Sequence, residues 1–164
     1  MNYKEWLQAI VEIEEAGEDP NGFIVDSLRD KKYLTWFGRY FFPHIIKGTQ
    51  EVPECHRNLA QELSSDKDSA IVFPRGFAKS TWEKIDTIHD IVYALEPVIL
   101  YIGNTLQDAA FHFESIKSEF ENNELLILVY GDLVPSQSNL GRKWTNKHFQ
   151  TTNQVNVVAR GAGK

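Results

Sequence analysis

Ile71-Val72-Phe73-Pro74-Arg75-Gly76-Phe77-Ala78-Lys79-Ser80-Thr81 runs an apolar tripeptide through a glycine-containing turn into Lys-Ser-Thr. A polyphosphate needs converging backbone N–H groups, the positive end of a helix, a lysine, and a hydroxyl for its metal ion. Gly76, Ala78, Lys79 and Ser80 have the chemistry for those parts, so the stretch is expected to be a strand, a phosphate-binding loop and a helix start. The general pattern is G-x-x-x-x-G-K-[ST], and Phe73 and Ala78 stand at its two glycine positions. An ordinary strand-to-helix turn with a surface lysine is the competing reading.

Downstream, Trp82, Ile85, Ile88, Ile91, Val92 and Leu95 recur at helical spacing, and Pro97 closes the segment before a second apolar run, Val98-Ile99-Leu100-Tyr101-Ile102. Strand, loop, helix and strand in about thirty residues describe a βαβ crossover, the unit in which phosphate loops normally sit. After Gly103, Thr105 with Asp108 forms a capping-box signature ahead of Ala109, Ala110, Phe113, Ile116, Phe120 and Leu125, so a second helix is expected there.

Taken together these residues resemble the large terminase subunit of tailed bacteriophages, the ATP-driven motor that packages DNA into a capsid. Pro74-Arg75-Gly76-Phe77-Ala78-Lys79-Ser80-Thr81 looks like that family's deviant Walker A loop, in which Ala for the last Gly is familiar. Phe41-Phe42-Pro43-His44 and Val52-Pro53-Glu54-Cys55-His56-Arg57-Asn58-Leu59 resemble the family's approach segment. Ile99 to Ala110 with the helix to Leu125 resembles the strand and helix after the loop, and Val157-Val158-Ala159-Arg160-Gly161-Ala162-Gly163 is similar to the Gly-rich segment before the Walker B strand.

The resemblance implies an α/β P-loop NTPase fold: a three-layer, mostly parallel sheet, here incomplete, behind an α-helical N-terminal segment. The expected organisation is a helical approach segment over 1–66 and a nucleotide-binding core over 67–164. The acidic Walker B strand and the family's nuclease domain are not found before Lys164. Leu125-Leu126-Ile127-Leu128-Val129-Tyr130-Gly131-Asp132 is the one look-alike for an acidic strand, but Asp132 has no carboxylate beside it, and a helix end running into a buried strand or turn is preferred. Without a carboxylate to orient water, this chain alone is expected not to hydrolyse ATP. An unpaired sheet edge and exposed apolar surface are expected to follow from the incomplete sheet.

By the same resemblance, the backbone of Gly76 through Thr81, with Pro74 and Arg75, holds the phosphates of ATP. Lys79 reaches the β and γ phosphates, and Ser80 offers its hydroxyl to Mg²⁺. Arg75 takes the catalytic place where terminases carry a loop arginine, stabilising charge on the γ phosphate; a surface arginine beside the turn is the alternative. Thr81 is read as a first-turn helix residue and Asn104 as either a nucleotide sensor or part of the following cap. His56 stands where the family's adenine-holding segment would lie, and a half-buried histidine satisfied by the backbone is the simpler account. The implied partners are double-stranded DNA, the small terminase subunit and the portal ring, with a homo-oligomeric ring for the full-length protein, in the host cytoplasm.

Composition agrees with an α/β unit of one core. The 164 residues carry a formal net charge of −6, which argues against uniform coating of nucleic acid. The sign is uneven: residues 1 to 68 hold thirteen acidic against eight basic residues, whereas beyond Asp132 come Arg142, Lys143, Lys147, Arg160 and Lys164 and no acid. That basic end faces either DNA, a neighbouring subunit or solvent on a hairpin. No leader and no membrane-length apolar run is seen. Cys55 is the lone cysteine, read as a small semi-buried side chain. His44, His89, His112 and His148 lack metal-ligand spacing, so no zinc is expected and magnesium arrives with the nucleotide.

Upstream, Trp6, Ile10, Val11 and Ile13 predict an amphipathic helix ended by the loop Ala16-Gly17-Glu18-Asp19-Pro20-Asn21-Gly22. Phe23 to Phe42 is aromatic-rich and reads as one or two core helices rather than a base-stacking surface. A turn at Lys47-Gly48-Thr49 precedes a helix carrying His56, Leu59, Ala60 and Leu63. Two other functions stay open beside the motor: a split or truncated nucleotide-binding or assembly module acting with a partner chain, and a non-motor P-loop protein such as a kinase.

Overall fold

The computed structural model describes residues 1–47, 51–65, 68, 70–72, 74–136 and 143–163. Gly48, Thr49, Phe73, Arg142 and Lys164, and the expected boundary at residue 66, lie outside the described residues. The chain divides into two compact units, Met1–Trp82 and Glu83–Lys164. Among the described residues no helix is long and apolar enough to cross a membrane.

The first unit is helical. Helix α1 (Tyr3–Glu15) opens on a capping box in which Asn2 accepts from the Glu5 amide and the Glu5 carboxylate accepts from the Asn2 amide. Of its apolar positions, Trp6 and Ile10 are buried and Val11 is exposed. The expected loop is shorter than its composition suggests. Gly17 adopts φ +80°, and α2 (Asn21–Leu28) begins within the loop signal, its Asn21 amide held by Asp19. A 3₁₀ turn (Lys31–Tyr33) leads into α3 (Leu34–Phe41), and α4 (Glu54–Leu63) buries Leu59 and Ala60.

The aromatic stretch is core, as its helical spacing implies. Trp6 is fully buried, with Tyr3, Phe23 and Tyr40 rings 5.2–6.4 Å from it, and its indole N–H donates to Ser27 Oγ at 2.7 Å. Tyr and Trp polar atoms need such partners when they are taken from water. Gly38 permits close packing beneath these rings, because a Cβ there would come 2.9 Å from Ile46 Cδ1 and 3.0 Å from Trp82.

The second unit is a small mixed α/β layer. Helix α5 (Lys79–Val92) starts in the first unit, and its residues Ile85, Ile88 and Ile91 are fully buried. It ends on Ala94 at φ +47°, with the Leu95 amide reaching back to the Asp90 carbonyl. Strand β1 (Val98–Gly103) follows, then α6 (Leu106–Asn122) behind the Thr105–Asp108 capping box, and α7 (Glu124–Tyr130). Strands β2 (His148–Gln150) and β3 (Asn156–Gly161) form an antiparallel hairpin, and β3 also pairs in parallel with β1, giving the order β1-β3-β2. Ala109, Phe113 and Ile116 of α6 are buried beside Phe149, Val157 and Ala159, with the Phe113 and Phe149 rings 4.7 Å apart. Lys84 of α5 and Glu119 of α6 form a largely buried ion pair at 2.7 Å.

The mixed α/β class agrees with expectation, and several finer features differ from it. Ile71 and Val72 are in no strand, and Val72 is 92 % exposed, so the strand expected to feed the loop is not formed at these residues. Apolar, β-branched composition favours a strand only where a neighbour completes its ladder. The sheet has one parallel and one antiparallel pairing rather than a mostly parallel set. On one face of β1, Val98, Leu100 and Ile102 are 60, 55 and 58 % exposed among the described residues. Finally, Leu125–Tyr130 belongs to a helix, separated from α6 by Asn123, whose side chain caps α7 by accepting from the Leu126 amide.

Candidate functional site

Pro74, Arg75, Gly76, Phe77, Ala78, Lys79, Ser80 and Thr81 line one open concavity of about 560 Å³, a size usual for small-molecule sites. The eight residues are consecutive, so the site is local in sequence. Gly76 has φ +85° and Ala78 φ +52°, with Phe77 between them on the ordinary side of the map. Such reversals turn successive backbone N–H groups toward one side and form an anion-binding concavity. A Cβ on Gly76 would meet nothing within 4 Å, so this glycine is required for its dihedral angle and not for room.

Helix α5 begins immediately behind the reversal. The Ala78 carbonyl accepts from the Thr81 amide at 3.1 Å and the Trp82 amide at 3.0 Å, which makes Ala78 the residue at the helix entry. The Lys79 and Ser80 amides therefore precede the first intrahelical bond and have no intrahelical acceptor. A Ser, Asp or Asn at position 78 would cap that turn with its own side chain; alanine has no oxygen to do so. The first-turn amides of this 14-residue helix are donors suited to an anionic acceptor.

The side chains complete the donor set. Lys79 and Ser80 are exposed on the first turn, Arg75 is exposed on the loop and Thr81 is half-buried. Phe77, expected to contribute its backbone to the loop, has its ring 44 % exposed, an apolar wall beside the loop. None of the eight lining residues is acidic. A magnesium polyphosphate fits this chemistry: amides and Lys79 for the oxygens, the Ser80 hydroxyl for the ion. Among the described residues no group of three or more His, Cys, Asp and Glu side chains could hold a metal by itself.

The remaining sequence candidates lie elsewhere. His56 sits on α4 with its ring 6.2 Å from that of Trp82, the residue directly after the loop, and it does not line the concavity. Cys55 is a half-buried free thiol in the first turn of the same helix. Asn104 is exposed and precedes Thr105, whose hydroxyl accepts from the Asp108 amide at 3.1 Å, so capping accounts for this segment. Of the basic tail, Lys143, Lys147 and Arg160 are exposed.

A second hollow, of about 340 Å³, is lined in part by Lys32, Thr35, Glu54 and Arg57. Its two cations are already matched by carboxylates, Lys32 to Asp30 at 2.7 Å and Arg57 to Glu51 at 3.5 Å. No signal in the sequence marked it, because its residues come from separate helices. Comparison with known proteins found no matching family model, no matching curated protein and no matching solved structure.

Proposed function

We propose that residues 74–81 bind the phosphates of a magnesium-bound nucleoside triphosphate, ATP in the first instance, and that the chain is the nucleotide-binding part of a DNA-packaging motor of the large terminase type. The observation that carries the nucleotide reading is the entry of α5 directly behind two left-handed residues, at an alanine that has no capping side chain, with Lys79 and Ser80 on its first turn. The motor reading rests on the order and spacing of the sequence segments that resemble terminases.

In this reading the Gly76 to Ser80 backbone orients the polyphosphate, and Lys79 neutralises charge on its β and γ groups as a mobile point charge. Ser80 supplies a hydroxyl oxygen to Mg²⁺, which when bound draws charge from the phosphate oxygens. Arg75 stabilises charge developing on the γ phosphate. Because no acidic residue lines the concavity, the carboxylate that orients the attacking water comes from outside residues 74–81.

Titration of a fluorescent ATP analogue with Mg²⁺ tests the assignment. Lys79→Ala is expected to lower affinity by at least about tenfold, the loss of one charge-assisted contact, with the far-UV circular dichroism unchanged because Lys79 is exposed. Equal affinity of the two proteins would overturn it. DNA-stimulated ATP turnover by the full-length protein, abolished by Arg75→Ala, is the corresponding expectation for the motor.

A further inference from the structure

Phe77 is the one aromatic side chain among the eight residues that line the concavity at 74–81. Phosphate oxygens and a metal ion have no use for its ring. They are met by backbone amides, by the charges of Arg75 and Lys79, and by the Ser80 hydroxyl. An aromatic face instead attracts a second flat, weakly polar surface, which a nucleobase has and a bare polyphosphate lacks.

The backbone that builds the anion site also carries this ring. Phe77 lies between Gly76 at φ +85° and Ala78 at φ +52°, the two reversals that turn the loop, and two positions before Lys79. The concavity, about 560 Å³, has the size of sites that take whole small molecules rather than single ions. His56, the aromatic side chain that the sequence resemblance offered for the base, does not line it; its ring lies 6.2 Å from that of Trp82 instead.

We propose that Phe77 is the residue by which this site tells a nucleotide from a bare polyphosphate, the base of the bound nucleotide stacking on its ring. The inference rests on the nucleotide reading of residues 74–81 and names the ligand class within it. Every base has a π face, and a phenyl ring offers no hydrogen-bonding edge to read one base against another. Phe77 therefore selects nucleoside triphosphates as a class, with adenine and guanine gaining alike from the contact.

Calorimetric titration of the full chain with ATP, GTP and inorganic tripolyphosphate, each with excess Mg²⁺, tests it. Phe77→Ala should lower the affinity for both nucleotides by roughly 5- to 150-fold, the range of base–aromatic stacking, and leave that for tripolyphosphate within about twofold. Phe77→Leu, which keeps apolar bulk without the π face, should lose nucleotide affinity as the alanine variant does. Phe77→Trp should keep it and gain an indole fluorescence that ATP quenches and tripolyphosphate does not. Lys79→Ala, by contrast, should weaken all three ligands. ATP binding that depends on Lys79 but is unchanged in Phe77→Ala would leave the phosphate loop standing and overturn the stacking proposal; indifference to both substitutions would overturn both readings. Equal losses for ATP and tripolyphosphate in Phe77→Ala, or parental ATP affinity in Phe77→Leu, would also overturn it, since the ring would then shape the loop or serve as bulk alone.

Discussion

Gly103 and Gly161 are register partners across the parallel β1–β3 ladder, and α6 enters directly over both. A Cβ on Gly103 would stand 2.6 Å from the Ala109 amide nitrogen, and one on Gly161 would stand 2.6 Å from that of Leu106. The obstacles are backbone atoms, which cannot rotate aside as a flexible side chain can. The Ala162 amide also donates to the Gly103 carbonyl at 2.8 Å, so the strand ends and the helix entry form one rigid corner.

Gly161→Ala or Gly103→Ala is therefore expected to destabilise the second unit by roughly 2–3 kcal/mol, the cost of overpacking where nothing can move. Urea denaturation followed by hydrogen exchange of the second unit's backbone amides measures it. A loss below about 0.5 kcal/mol, the range of ordinary surface substitutions, would show that α6 shifts freely on the sheet.

The loop makes an opposite pair of predictions. Gly76→Ala places a side chain at φ +85° with no steric contact, so its cost is backbone strain alone, about 1 kcal/mol. Ala78→Gly removes the same kind of strain at φ +52° and is expected to raise stability by up to about 1 kcal/mol while keeping nucleotide affinity. Thermal denaturation of the two variants should bracket the parent protein. A destabilised Ala78→Gly would mean that the alanine methyl contributes packing that outweighs its dihedral strain.

Two tyrosines link stability to alkaline pH. The Tyr130 hydroxyl donates to that of Tyr93 at 2.6 Å, and burial first, then the neighbouring phenol, raises its pKa far above the usual value of 10.0. Burial likewise raises the Tyr101 phenol, reinforced by the Glu83 carboxylate that accepts its proton in a hydrogen bond. Both are neutral in the fold and ionise more readily when unfolded. Their contribution is complete below about pH 10 and is lost as pH rises from there toward the folded pKa values. Stability measured from pH 8 to 12 should fall beyond about pH 10, less steeply in Tyr130→Phe. A parallel decline in the variant would assign the effect to other groups.

Much of the local structure was readable from the chain. Helix α5 appeared in the spacing of Trp82, Ile85, Ile88 and Ile91, α6 in the Thr105–Asp108 box, and β1 in five consecutive apolar residues after Pro97. The candidate site was readable for the same reason: its parts are eight neighbours in sequence, and the glycine, the lysine and the hydroxyl each announce a role. Phe77 was read as one backbone position of that run; that its ring stands partly exposed beside the loop has no periodic signature in the sequence. The segment Leu125–Tyr130 was ambiguous because a short apolar run suits a buried strand and a buried helix equally; Asn123, which caps it, is a signal that only neighbouring helices make interpretable.

What the sequence by itself determined is what short-range forces determine: which of the longer segments are helical, where the backbone must reverse at Gly76, and which face of those helices is apolar. What only the tertiary structure decided is pairing. Ile71 and Val72 have the composition of a strand and form none, whereas Asn156–Gly161, with an asparagine, an arginine and a glycine, becomes the central strand of the sheet. A helix closes its hydrogen bonds within itself, so its residues carry most of the information it needs. A strand's hydrogen bonds belong to another segment, and composition alone does not say which segment arrives.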